Sequence, residues 1–127
     1  MMPPNLKPVV WIGLSLRELR DLPDAVQDKL GYSLFLAQAG RKSPSTKPLK
    51  GFGGAGVLEV VQDHDGDTYR AVYTVRFSDA IYVLHAFQKK SKRGIATPKH
   101  TLDLIRARLK EADALHAARM REEGHHE

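Results

Sequence analysis

The sequence predicts an α+β fold: a small antiparallel sheet of about four strands, an N-terminal helical hairpin and a C-terminal helix, in the order β-α-α-β-β-β-α. Three stretches carry that expectation. Tyr69 to Phe77 and Ala80 to Gln88 are rich in β-branched and aromatic residues, and Ser78-Asp79 breaks them into two adjoining strands. Ser15 to Ala39 places apolar residues at helical spacing and stops at Gly40. Leu102, Ile105, Leu109 and Ala112 fall at intervals of three, four and three, which marks one apolar face of a final helix.

Size and composition narrow the classes. A chain of 127 residues, 42% of them hydrophobic, holds one core but not two, so a single domain is expected over 1–127. Its core should lie at about 7–115, with 116–127 a frayed tail. The absence of cysteine excludes disulfides and thiolate metal sites and fits a reducing compartment. Met1 to Pro8 is short and proline-rich, and no stretch approaches the roughly 20 apolar residues of a spanning helix. A cytoplasmic protein with no membrane partner is expected.

The net charge of +5 reflects 20 Lys and Arg against 15 Asp and Glu. Its distribution says more than its size. Acids gather in Glu18 to Asp28, in Asp63 to Asp67 and from Glu111 onward, whereas Arg41 to Lys50 and Lys89 to His100 contain none. Two acid-free basic segments on one surface are the footprint of a polyanion binder; two separate solvated loops are the alternative.

Taken in order, Val9-Val10-Trp11-Ile12 reads as a first strand ended by Gly13. Ser15 and Glu18 match a capping box that starts a short helix with Leu16, Leu19 and Leu22 buried. Pro23 fits the first turn of a second helix, burying Val26, Leu30, Ser33 or Leu34, and Ala37. Arg41 to Gly56, with its prolines, serines and glycines, reads as a mobile basic loop. It lacks the Gly-Lys-Ser or Gly-Lys-Thr of a phosphate loop, and a strand follows, Val57 to Gln62, instead of a helix. Asp63-His64-Asp65-Gly66-Asp67 resembles the start of a calcium loop but has no downstream glutamate, so an Asp-Gly hairpin is the better reading. Thr97-Pro98 supplies a cap and first turn for the last helix. The closing Gly-His-His-Glu is a solvated terminus, and neither a metal nor a cofactor is expected.

Alternation along the first long strand points Tyr69, Tyr73 and Phe77 one way, into a core, and Arg70 and Arg76 the other. Trp11 is expected in the core as well. A two- or four-residue turn at Ser78-Asp79 sets Arg70 opposite Phe87 on a face with His85 and Lys89; a three-residue turn brings Lys90 instead.

Six words of this sequence, in this order, resemble the HigB-like toxins of the RelE/ParE superfamily, the phage-derived host-inhibition branch. They are Leu22-Pro23 with the Leu34 to Gly40 helix end, Lys47-Pro48-Leu49-Lys50-Gly51, Leu58-Glu59-Val60, Tyr69-Arg70-Ala71-Val72-Tyr73, Leu84-His85-Ala86-Phe87-Gln88-Lys89-Lys90, and Thr97-Pro98. The likeness spans about Lys7 to Ala112 and implies a RelE-like fold and the toxin of a type II toxin-antitoxin pair. Such toxins cleave mRNA on the ribosome, and a helix-turn-helix antitoxin neutralises them. The resemblance makes Arg70 the contact to the scissile phosphate and Lys90, or its neighbour Lys89, the basic partner closing its strand. It also places Lys47 and Lys50 in the basic loop before the sheet. For the proton-transfer residue it offers His100 as a loose match, with His85 a competitor. The segment Ser91 to Ala96 is longer than the family's usual step.

The chemistry agrees with those assignments. Metal-independent RNA cleavage by the neighbouring 2′-hydroxyl needs a base, an acid and donors for a dianionic transition state. Arginine suits a phosphate because its planar fork meets two oxygens at once. Lys92, Arg93 and Arg76 join Lys47 and Lys50 as expected phosphate contacts. Each residue also has a plain structural reading. Arg70 is the natural partner of Glu59 on a neighbouring strand, Lys89 and Lys90 blunt a strand end, and His85 is a half-buried histidine with its hydrogen bonds met.

Overall fold

A computed structural model describes residues 6–54, 56–89 and 97–124 of the chain. The elements in order are β1 (Val9–Trp11), α1 (Ser15–Arg20), α2 (Asp24–Gln38), β2 (Thr46–Pro48), β3 (Val57–His64), β4 (Asp67–Thr74), β5 (Ile81–Lys89) and α3 (Lys99–Gly124). The strands make one sheet in the order β1-β5-β4-β3-β2.

The α+β class and the order of the main elements agree with expectation, and two strands refine it. β2 lies inside the stretch expected as a mobile loop. Thr46, Lys47 and Pro48 pair with Val60, Glu59 and Leu58, and an edge position tolerates a proline. The buried hydroxyls of Ser33, Ser43 and Thr46 hydrogen-bond in series and tie this segment to α2. β1 runs parallel to β5, with Val9 beside Ile81 and Trp11 beside Val83, so the sheet is mixed and not purely antiparallel. Two helices packed on the sheet and three further strands separate β1 from β5 in the chain, the kind of long connection that parallel pairing needs.

The β3–β4 hairpin follows from its turn residues. Asp65 has φ of 50° and Gly66 of 81°, the left-handed pair that a two-residue primed turn requires, and His64 faces Asp67 across it. On one face of the sheet, Val26, Leu30, Leu34 and Ala37 of α2 pack with Val60, Tyr69, Ala71, Tyr73, Ile81, Val83 and Ala86, and Trp11 lies partly buried against them. On the other, Ile105 and Ala112 of α3 pack with Val57, Val72, Tyr82 and Leu84.

Four local expectations are corrected. Ser15 and Glu18 do not form a capping box: Leu14 caps α1 without a side-chain bond, and the Ser15 hydroxyl donates to the Val83 carbonyl. Both side chains are drawn to β5 instead. Pro23 is the cap of α2 and stands just outside its first turn, with ψ of 146°; α3 likewise starts after Pro98, whose carbonyl accepts from Leu102 N–H. β4 ends at Thr74, so Phe77 leaves the strand and packs in the α3 cluster, away from Tyr69 and Tyr73. Residues after Leu115 are helical to Gly124: His116 stacks on Phe77 with ring centres 4.1 Å apart, and Arg119 donates to the buried Tyr82 hydroxyl at 2.9 Å.

One irregularity aims the far half of β5. Val72 lies beside His85 but Tyr73 beside Val83, so Leu84 is an extra residue in the ladder. Such a bulge reverses the alternation beyond it. His85, Phe87 and Lys89 therefore share the α3-side face with Tyr82 and Leu84.

Candidate functional site

Arg70 lies opposite Phe87 and Thr68 opposite Lys89, the pairing expected of a two- or four-residue turn, but it is reached differently: beside the turn Thr74 pairs with Tyr82, the register of an odd-residue turn, and the bulge at Leu84 shifts the ladder by one. Arg70 thus shares a sheet face with His85 and Lys89. From the other side, β2 sets Lys47 beside Glu59. Three cations accordingly surround one carboxylate. Arg70 Nη1 donates to Glu59 Oε2 at 2.6 Å, and Lys47 Nζ stands 3.7 Å from Glu59 Oε1. Burial, then the charges of Arg70 and Lys47, lower the Lys89 pKa below the ordinary lysine value, with Glu59 opposing them.

The side chains differ in access. Arg70 is 11% exposed and Glu59 5%, whereas Lys47 is 61% exposed. The buried Arg70 Nε has no hydrogen-bond partner among the described residues. Arg70 is bound by one Glu59 oxygen through Nη1. Counting Glu59 once, the cluster keeps an excess of two positive charges, the arithmetic being three cations less one carboxylate.

The other expected site residues divide. Lys90, Lys92 and Arg93 lie outside the described residues. Lys50 is exposed two positions past β2, and His100 is exposed in the first turn of α3. Among the described residues, no hydrogen bond or ion pair links either to Arg70. Arg76 does not join the cluster. It follows the end of β4 and pairs with Asp113 of α3 at 3.1 Å, about 20 Å from Arg70 at ordinary strand rise. Arg70 sits in the middle of β4 and Arg76 two residues past its end.

A second polar cluster escaped the sequence reading. Arg108 of α3 donates to both oxygens of Glu18, at 2.7 and 2.9 Å, and to the Leu84 carbonyl at 2.9 Å. Glu18 Oε1 also lies 2.8 Å from His85 Nδ1 and accepts from Ala86 N–H at 3.4 Å. Burial pushes the Glu18 carboxyl up, but hydrogen bonds from His85 and Arg108, with their charges, outweigh it and hold the pKa at about 2. The group serves the edge of β5 just where β1 stops pairing, at Trp11 beside Val83. The available signal was Arg108 itself, three residues after Ile105 and four before Ala112 on the apolar stripe. A cation in that position needs a buried acid.

A small α+β fold with a mixed sheet, one helical hairpin and a C-terminal helix, bearing a basic cluster on one sheet face, is compatible with the RelE-like folds. The chain belongs to the phage-derived protein Gp49-like family (DUF891), whose model matches residues 17–110. This is a RelE-like, toxin-like family associated with toxin-antitoxin systems, and it implies an antitoxin partner in general. No curated protein and no solved structure gives a significant match. Among the described residues no helix is long and apolar enough to cross a membrane.

Proposed function

We propose that this chain is the HigB-like toxin of a type II toxin-antitoxin pair and that it cleaves mRNA on the ribosome as a metal-independent endoribonuclease. The observation that carries the reading is the gathering of Lys47, Arg70 and Lys89 from three strands onto one face around Glu59. Arg70 offers a preorganised guanidinium to the scissile phosphate, Glu59 fixes its orientation, and Lys89, whose ammonium form burial disfavours, is assigned as proton donor to the leaving oxygen. Lys47 extends the positive surface beside Arg70, and Lys50, Lys90, Lys92 and Arg93 are proposed from the sequence as further phosphate contacts. In this reading a helix-turn-helix antitoxin blocks that surface.

The Arg70–Glu59 pair favours a second reading, in which the arginine is structural and the protein acts by binding another protein, as a decayed or gyrase-directed toxin would. Induced expression in bacteria with mapping of mRNA ends separates the two. New 5′ ends within translated messages, and their disappearance when a neighbouring helix-turn-helix protein is co-expressed, support the nuclease. Growth arrest with intact messages supports the binding reading.

A further inference from the structure

Resting on the nuclease reading, we propose that His85, oriented by Glu18, is the base that takes the proton of the RNA 2′-hydroxyl. Geometry supplies the argument. The bulge at Leu84 turns His85 onto the α3-side face; in unbroken alternation it would join Ile81 and Val83 on the α2 side. Bulges beside active sites commonly re-aim a side chain in this way. His85 then lies one face-neighbour from Phe87, the residue opposite Arg70, about 7 Å along the strand. Its ring is held flat against Phe87, with centres 4.7 Å apart and planes 17° from parallel.

The tautomer follows from the partners. An imidazole nitrogen 2.8 Å from a carboxylate oxygen must carry a hydrogen, so Nδ1–H donates to Glu18 and the lone pair is on Nε2. Arg108 binds both Glu18 oxygens through its two-pronged bond, so Glu18 keeps a cation partner of its own beside the imidazole. Nε2 has no hydrogen-bond partner among the described residues, and the side chain is 12% exposed. Closing the β5 edge needs only Arg108 on Leu84 O and Glu18 on Ala86 N–H. The imidazole is superfluous to that task.

In the step proposed, Nε2 accepts the 2′-hydroxyl proton as the 2′-oxygen bonds to phosphorus. The bond from phosphorus to the 5′-oxygen breaks, and that oxygen takes a proton from the Lys89 ammonium. The products are a 2′,3′-cyclic phosphate and a 5′-hydroxyl, with no oxidant or metal required.

The test is single-turnover cleavage of mRNA on purified bacterial ribosomes by the wild type, His85→Asn and His85→Ala. The asparagine amide can still donate to Glu18 but offers no Nε2. Both variants should lose about 10²- to 10⁴-fold in rate, the usual worth of a positioned base, and added imidazole should restore part of the loss in His85→Ala. A folded His85→Asn that cleaves at the wild-type rate overturns the proposal. So does a His85→Ala whose loss of rate parallels a loss of folded protein and ignores imidazole. Wild-type protein that leaves ribosome-bound mRNA intact removes the nuclease reading, and this inference with it.

Discussion

Arg108 stands where an apolar residue would complete the buried face of α3, and its fork on Glu18 is what makes that position tenable. Removing one member leaves the other charge buried and unpaired, which costs more than the intact pair contributes. Arg108→Ala should therefore lower unfolding stability by about 3 kcal/mol, measured by urea denaturation. The pH dependence has a definite sign. The folded pKa of Glu18, about 2, lies below its ordinary 4.5, so its contribution is fully present above pH 4.5 and fades as the pH falls towards 2. Glu18→Gln should flatten the fall in melting temperature across that window; an unchanged slope would mean that another carboxylate dominates. Gly13 is tied to the same cluster. With φ of +56° and an added Cβ only 3.1 Å from Arg108 Nε, Gly13→Ala should destabilise by about 1–2 kcal/mol, readable as a lower urea midpoint.

At the scale of elements, α3 gains an anchor well beyond its apolar stripe. His116 stacks on Phe77 and stands 3.6 Å from Asp79, and Arg119 reaches the Tyr82 hydroxyl. Deleting residues 116–127 should lower the unfolding midpoint although the deleted part is polar; equal stability would show that the contacts contribute nothing. The sequence misses this anchor because aromatic and hydrogen-bonded contacts leave no apolar period to read. Legibility elsewhere follows the same rule. The buried face of α2 and the Asp65-Gly66 turn were readable, since each depends on neighbours within a few residues. β2 was not, because its lysine and proline argue against a strand and only pairing with β3 makes it one. The parallel placement of β1 and the bulge at Leu84 are set by register between distant segments. For the same reason the sequence offers Glu18 only a local cap, while its Arg108 partner lies 90 residues away.

Across the whole molecule, the described parts of the two basic segments meet where Lys47 and Lys89 approach Arg70, while Arg76, which belongs to neither, pairs with Asp113 past the end of β4. Binding to ribosomes should weaken steeply with added salt, as phosphate contacts release counterions, and Lys47→Ala should shallow that dependence. Salt-insensitive binding would favour protein recognition. In the proposed function Arg70 serves a phosphate and not only Glu59. Arg70→Ala alone is a poor probe, since it strands a carboxylate that is 5% exposed. Neutralising that carboxylate first removes the difficulty. The decisive measurement compares mRNA cleavage by Glu59→Gln with that by Glu59→Gln/Arg70→Gln, both verified as folded. The first should still cleave, and the second should be slower by on the order of a hundredfold, as when a transition-state donor is lost. Equal cleavage by the two folded variants would contradict it and leave Arg70 a structural partner of Glu59.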